Sequence, residues 1–334
     1  MQRTPDPSQL WHTRDLTARS PGLRPDREPQ LTRMRRGVYA DRPAGDAAAS
    51  GIVGGAGASG VGGGGADTDP AARDAGYLLR IRAVDAARKQ PIFARESALA
   101  LHGIPYGIPP DVVYTTGHAK TAGKKAGIAH SAVELDPADI VMLGGIRVCS
   151  LPYALAEVAR KRDPQTAVSA IDEALRKGVV SKSQMLDALG RQGSHGRRRA
   201  AWAVAFADAA AESVGESWSR VRIHQLGFAA PELQVWVTGR SGKRYRVDML
   251  WRTPGGRPVF GEFDGAHKYG ALAQQGGQTG AQALSEEKAR DDDLLFVGDP
   301  AHWVWIDVLR PKRLERILTA YRVPRIRPSL ESLT

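Results

Sequence analysis

The sequence predicts an α/β (α+β) chain with sheets flanked by helices, and three observations lead there. Short β-prone runs such as RYRVDMLW and PVFGEFDG alternate apolar and polar residues and are separated by the turn-rich segments TGRSGK and RTPGGR. Amphipathic runs such as LPYALAEVARK and AVSAIDEALRKG show helical spacing and end in charge and Gly178. Between them the chain is punctuated by Gly and Pro rather than by long apolar stretches.

With 334 residues, 42% hydrophobic and 25% charged, the chain can bury more than one core, and two compact units joined by linkers are expected. No run approaches the ~18 apolar residues of a bilayer crossing, and the N-terminus MQRTPDPSQLWHTRD lacks the apolar core of a signal peptide. A cytoplasmic location with no membrane partner is the expectation. The single cysteine, Cys149, closes no internal disulfide and reads as a small buried apolar residue. A formal charge of +11 favours a polyanionic partner, with DNA first.

Residues 1–43 form the first segment. In LTRMRRGVYA, Arg33, Arg35 and Arg36 precede a Gly37 turn and the β-type pair Val38 and Tyr39, which predicts a basic hairpin or wing able to lie on phosphates. Residues 44–76 follow as a Gly/Ala-rich linker that has too few large side chains to offset its ordering entropy. Residues 77–200 form a mixed α and β region. YLLRIRAVDAARKQ predicts a helix, and PIFARESALALHGIP a second one whose apolar positions are Ile92, Phe93, Ala98, Leu99 and Leu101, stopped by Gly103 and Pro105. DVVYTT and GIRVCSL predict strands, and SKSQMLDAL a helix capped by Ser181. His102, alone at a helix end, reads as a cap or a satisfied core group.

RRGVY, FARESALALHG, VCSLPYALAEVAR and the DEALRKG helix resemble the layout of actinobacterial AbiEi-like type IV antitoxins over roughly residues 12–190. That resemblance implies a winged-helix-like segment followed by an α/β antitoxin-like region, and a nucleotidyltransferase toxin as partner. The winged helix looks short for the family and is followed by the Gly-rich insertion.

The composition changes at about residue 211. ESVGESWSRVRIHQLGF predicts a helix stopped by Gly227, and PELQVWV, RYRVDMLW and PVFGEFDG an antiparallel meander. Acids stand inside those strands: Asp248 interrupts RVDMLW, and alternation puts Glu262 and Asp264 on one face of VFGEFDG. Burying like charges together without a cation is costly, and hard carboxylate oxygens suit Mg²⁺ or Mn²⁺ better than zinc. Lys268 or Lys288 could orient a water beside such an ion. The alternative is that the strand acids pair with nearby Arg244, Arg246 and Arg252. Farther on, EEKARDDDLL predicts a helix, with Lys288 and Arg290 near the sheet. HWVWIDVLRP predicts an edge strand with Trp303 and Trp305 on one face, packing in the core, and PKRLERILTAYRV a basic helix offering Lys312, Arg313 and Arg316 to phosphates.

The order helix with Glu216, strand with Asp248, strand with Glu262 resembles the PD-(D/E)XK nuclease superfamily over residues 211–325, especially the domains related to very-short-patch-repair endonucleases. The resemblance implies a restriction-endonuclease-like domain with a central mixed sheet, with Asp248 and Glu262 as metal-binding carboxylates and Glu216 as the acid of the first helix. Where the superfamily places lysine two residues after the second acid, this chain has Asp264, so Lys268 or Lys288 would have to serve from a displaced position. The expected activity is Mg-dependent hydrolysis of DNA coupled to an antitoxin-like regulatory region. The alternatives are an inactive DNA-binding antitoxin or repressor, and a module that masks a toxin.

Overall fold

The computed structural model describes residues 9–20, 22–41, 70–118, 122–253, 256–265 and 280–330. The chain divides into two compact units, residues 1–103 with 108–154, and residues 104–107 with 155–334. The sequence reading put its main boundary between 200 and 211; the helices just before that point belong to the same compact unit as the C-terminal sheet. Most of the expected linker, residues 44–69, lies outside the described residues, and its last part is helical.

The first unit opens with β1 (Leu10–His12), α1 (Thr13–Arg19), β2 (Leu31–Arg35) and β3 (Val38–Asp41). The strands form an antiparallel sheet in the order β1-β3-β2 around Trp11, Leu31 and Tyr39. The RRGVY hairpin is present, and its Gly37 takes φ 79°, a left-handed value that glycine adopts without a Cβ penalty.

Helix α2 (Pro70–Ala87) leads into a mixed sheet of β4 (Ile92–Phe93), β5 (Val113–Gly117), β6 (Gly123–Lys125), β7 (Ile128–Ala132), β8 (Ile140–Leu143) and β9 (Ile146–Cys149), in the order β6-β7-β5-β4-β9-β8. The expected helix at Ile92 begins later, as α3 (Arg95–Leu101). Ile92 and Phe93 instead pair with Thr116 and Thr115 of β5, because two consecutive buried apolar residues fit a central strand as well as a helix face. His102 closes α3 and bonds the Cys149 carbonyl through Nε2 at 2.9 Å, and Cys149 is fully buried.

The second unit holds most of α4 (Leu151–Lys161), then α5 (Pro164–Arg176), α6 (Lys182–Gly190), α7 (Arg197–Phe206) and α8 (Val214–Gln225). Ser181 caps α6 in a reciprocal capping box with Gln184. Asp172 of α5 ties these helices together, accepting from Arg220 Nη1, Ser217 Oγ and the Asp208 N–H, each at 2.8 Å. Burial outweighs those donors and pushes its carboxyl up to about 6.

β10 (Glu232–Thr238), β11 (Arg244–Trp251) and β12 (Val259–Asp264) form the expected antiparallel meander. After α9 (Gly280–Leu294), β13 (Asp299–Val304) adds to β12 in parallel, which makes the sheet mixed in the order β10-β11-β12-β13. Trp305 does not continue that strand: it starts α10 (Trp305–Leu309), followed by α11 (Pro311–Ala320). Its ring meets Trp218 and Phe263 edge-on at 5.5 and 5.2 Å, so the aromatic core expected of Trp303 and Trp305 forms from two elements. One face of the sheet packs Met249, Trp251, Phe263 and Trp303 against α8 and α11, while Leu250 and Phe260 meet Leu294 of α9 on the other.

Candidate functional site

Helix α8 delivers its acid through its own N-terminus. Ser213 caps it by accepting the Glu216 N–H at 3.1 Å, and Glu216 Oε2 turns back to accept from the Glu212 N–H at 3.0 Å and Gln234 Nε2 at 2.9 Å. Gln234 sits on β10 at φ 52°, a left-handed conformation that non-glycine residues seldom adopt and that clusters at functional sites. Burial, and after it the nearby Asp248 charge, push the Glu216 carboxyl above the usual range. Immediately before it, Gly215 lies so close to the Phe263 ring that any Cβ there would overlap it. The helix therefore seats directly on β12.

The β11–β12 ladder ends at the pair Met249 and Gly261. One step further its register would set Asp248 opposite Glu262. Instead Asp248 Oδ2 takes the Phe263 N–H at 3.2 Å, so a carboxylate replaces the backbone partner where the ladder stops. Glu262 is 3% exposed and receives Arg290 Nη2 of α9 on Oε1 at 2.6 Å; the same nitrogen lies 2.9 Å from the Arg246 carbonyl. Such a charge-assisted bond is among the stronger contacts a buried carboxylate can have.

On the same face of β12, Asp264 Oδ2 bonds His302 Nδ1 at 3.1 Å, and His302 Nε2 lies 3.3 Å from Asp291 of α9. The parallel register pairs Glu262 with His302, so the imidazole stands beside three acids. The hydrogen bond to Asp264 chiefly, then the charges of Asp264, Asp291 and Glu262, raise the His302 pKa despite its burial.

Four expected site residues, Glu216, Asp248, Glu262 and Asp264, thus lie around the end of the β11–β12 ladder. Lys268 is outside the described residues. Lys288 is exposed on α9, and the cation that reaches the acids is Arg290, two residues on. The strand arginines face other partners: Arg246 bonds Glu212 at 2.6 Å, Arg252 bonds Glu232 at 2.8 Å, and Arg244 lies over the Trp236 ring. Among the described residues no three acidic, His or Cys side chains stand together within metal-ligating reach. Sequence reasoning left Gln234, Asp291 and His302 out of the site. His302 is visible only through the β12–β13 register, which no local pattern encodes.

The basic residues expected to meet phosphates are distributed over both units. In the first, Arg33 pairs with Asp26 at 3.3 Å, and Arg35 is lowered from its usual pKa by burial and by the neighbouring Arg88 charge; Arg36 lies at the hairpin turn beside Gly37. In the second, Lys312 and Arg316 are exposed on α11, while Arg313 bonds Asp307 at 2.7 Å.

No family model matches the chain. Two uncharacterised proteins of Mycobacterium tuberculosis, MT2308 of strain CDC 1551 / Oshkosh and Rv2248 of strain ATCC 25618 / H37Rv, are each 35% identical to it over 107 residues, 31% of this chain. The chain spans 40% of the length of these relatives. The crystal structure of the RV2827C protein from Mycobacterium tuberculosis aligns with 59% of this chain and 71% of its own, at 16% identity and a TM-score of 0.37.

Proposed function

We propose that the C-terminal part of the chain, residues 211–325, is a restriction-endonuclease-like domain of the PD-(D/E)XK type that hydrolyses phosphodiester bonds in DNA, attached to an antitoxin-like regulatory region. The observation that carries this reading is the grouping of Asp248 and Glu262 at the point where β11 and β12 part, with Glu216 coupled electrostatically to Asp248.

The donor chemistry suits a hard divalent cation, although the described side chains are not gathered within ligating reach of one ion and Arg290 holds Glu262. Its oxygens are all carboxylate, and Glu216 is raised first by burial and then by the Asp248 charge, a repulsion that bound positive charge would relieve. Asp248 and Glu262 would hold Mg²⁺ or Mn²⁺, with Asp264 the third acid of the group. Such an ion supplies charge stabilisation at a phosphodiester and a water of lowered pKa. The chain's own residues orient and neutralise. Arg290 holds Glu262 and, released from it, presents a guanidinium suited to a phosphate oxygen. His302, held between Asp264 and Asp291, is set to carry a proton at the edge of the cluster. Lys312 and Arg316 on α11 supply exposed charge for the DNA backbone.

A second reading has its own support. Glu262 is already ion-paired with Arg290, and Asp264 is hydrogen-bonded to His302, an arrangement that also suits an inactive DNA-binding platform in an antitoxin or repressor. A nucleotidyltransferase toxin encoded beside this gene would favour that role for the whole chain. Plasmid nicking by the full chain with Mg²⁺, Mn²⁺ or EDTA separates the two. The nuclease reading expects metal-dependent nicking that Asp248→Asn and Glu262→Gln abolish while DNA binding persists. Binding without nicking under every condition selects the platform.

A further inference from the structure

The first unit holds a cleft of about 430 Å³ over the mixed sheet, lined from the end of α2 and from strands β4, β5, β7, β8 and β9. Its volume falls within the range of small-molecule sites, roughly 300–1,000 Å³. Three cations line it, Arg88 and Lys89 just past the end of α2 and Arg147 on β9, and the described residues give none of them an ion-pair partner. Glu134 is the one carboxylate in the described lining, so cations outnumber carboxylates among the described lining residues.

The floor is more specific than the rim. Thr115 of β5 is 2% exposed, and its Oγ1 lies 3.0 Å from Nδ1 of His130, its register partner on β7. That bond uses one imidazole nitrogen. The other, Nε2, is buried and has no hydrogen-bond partner among the described residues. When the threonine hydroxyl donates to Nδ1, Nε2 carries the proton and is a fixed donor without an acceptor. Buried donors without partners are uncommon, and a bound water, ion or ligand is one way such a donor is satisfied. Pro91, Ile92, Leu135 and Ile140 add apolar lining.

We infer that this cleft binds a phosphomonoester of a small molecule with an apolar ring, nucleoside monophosphate in size, with the phosphate taken by Arg88, Lys89 and Arg147 and a ligand acceptor atom meeting His130 Nε2. A phosphomonoester carries about −1.5 to −2 charges at neutral pH, which matches the charge excess of the wall. Its base or ring covers the apolar lining. A free inorganic phosphate matches the cations alone, and DNA offers only phosphodiesters with one charge each.

Calorimetric titration of the full chain with adenosine 5′-monophosphate, adenosine, inorganic phosphate and a short DNA duplex tests this. Binding of the monophosphate is expected, with each of Arg147→Ala and Lys89→Ala weakening it at least about tenfold, in line with loss of one charge-assisted contact. His130→Gln, which retains a donor, should weaken it less than His130→Leu. Adenosine should give no heat, and inorganic phosphate should bind more weakly than the monophosphate. Thermal unfolding of each variant confirms that it is folded; Lys89 is exposed, so its removal leaves the core intact. Three results would each overturn the inference: no monophosphate binding up to about 5 mM, a Kd worth only ~3 kcal/mol; binding indifferent to both cation variants; or displacement of the monophosphate by the duplex with the same variant losses, which would make the cleft part of a nucleic-acid surface.

Discussion

Arg290 donates to Glu262 at 2.6 Å, and that carboxylate is almost wholly enclosed. The pair joins α9 to β12 across the sheet face that carries Asp264 and His302. Removing one member of a buried ion pair typically costs about 3–5 kcal/mol, because the other charge is left unpaired. Arg290→Ala should therefore lower the melting temperature sharply in EDTA. If Asp248 and Glu262 receive a divalent ion, Mn²⁺ should restore a larger share of stability to this variant than it adds to the parent. An equal Mn²⁺ increment in both proteins would count against a metal at Glu262.

Glu216 should behave in the opposite way. Its carboxyl is raised by burial and by Asp248, so folding favours its protonated form. That contribution is fully present below the unfolded glutamate pKa, about 4.3, and is lost as pH rises through the folded value. Glu216→Gln should unfold at a higher temperature than the parent at pH 8, with the gap closing towards pH 4. Relief of crowding is thus expected at Glu216; at Glu262 the Arg290 contact makes neutralisation destabilising without metal. Melting curves of both variants across pH would show whether the two acids differ in sign.

His302 supplies a pH-dependent link. Its pKa is raised by Asp264 before any other group. The stabilisation it provides is complete below the unfolded histidine pKa of about 6.5 and disappears as pH rises through the higher folded value. NMR titration should find the His302 imidazole titrating above a free histidine, and Asp264→Asn should bring it back down. An unchanged titration in that variant would mean that Asp264 does not hold the ring.

Much of this site could be read from residues in order. Asp248, Glu262 and Asp264 announce themselves because acids interrupt apolar strands, and the Ser213–Glu216 spacing marks a helix start. What the sequence leaves hidden is which element faces them. Lys288 and Arg290 sit two positions apart on one helix, and only the packing of Leu294 against Leu250 and Phe260 turns Arg290 inward. Ile92 and Phe93 were read as helical because two apolar residues carry no period; their pairing with β5 is non-local. Trp305 likewise left its strand once Asp307 capped the next helix by accepting the Val304 N–H at 3.1 Å.

Gly215 offers the sharpest steric test. A methyl group there would overlap the Phe263 ring. Overpacking of this kind costs about 1–3 kcal/mol, so Gly215→Ala should lower the melting temperature and, by shifting α8, weaken any activity that depends on Glu216. Combining it with Phe263→Leu should recover part of the stability, a coupling that a double-mutant cycle measures. Strict additivity would show that the ring is not the obstacle.

Helix α8 is gripped at its far end too. Gly227 lies directly beneath the Arg327 and Pro328 carbonyls, Ile326 N–H bonds its carbonyl at 2.9 Å, and Arg327 bonds the His224 carbonyl. With both ends fixed, the spacing between the two glycines acts as a gauge. Inserting or deleting one residue within it would turn the helix by about 100° per residue, and either the ring contact at Gly215 or the crossing at Gly227 would have to give way. No residue of α8 is exposed, and its length cannot drift: homologous chains that keep Glu216 at work should keep the interval from Gly215 to Gly227 unchanged even where little else is shared.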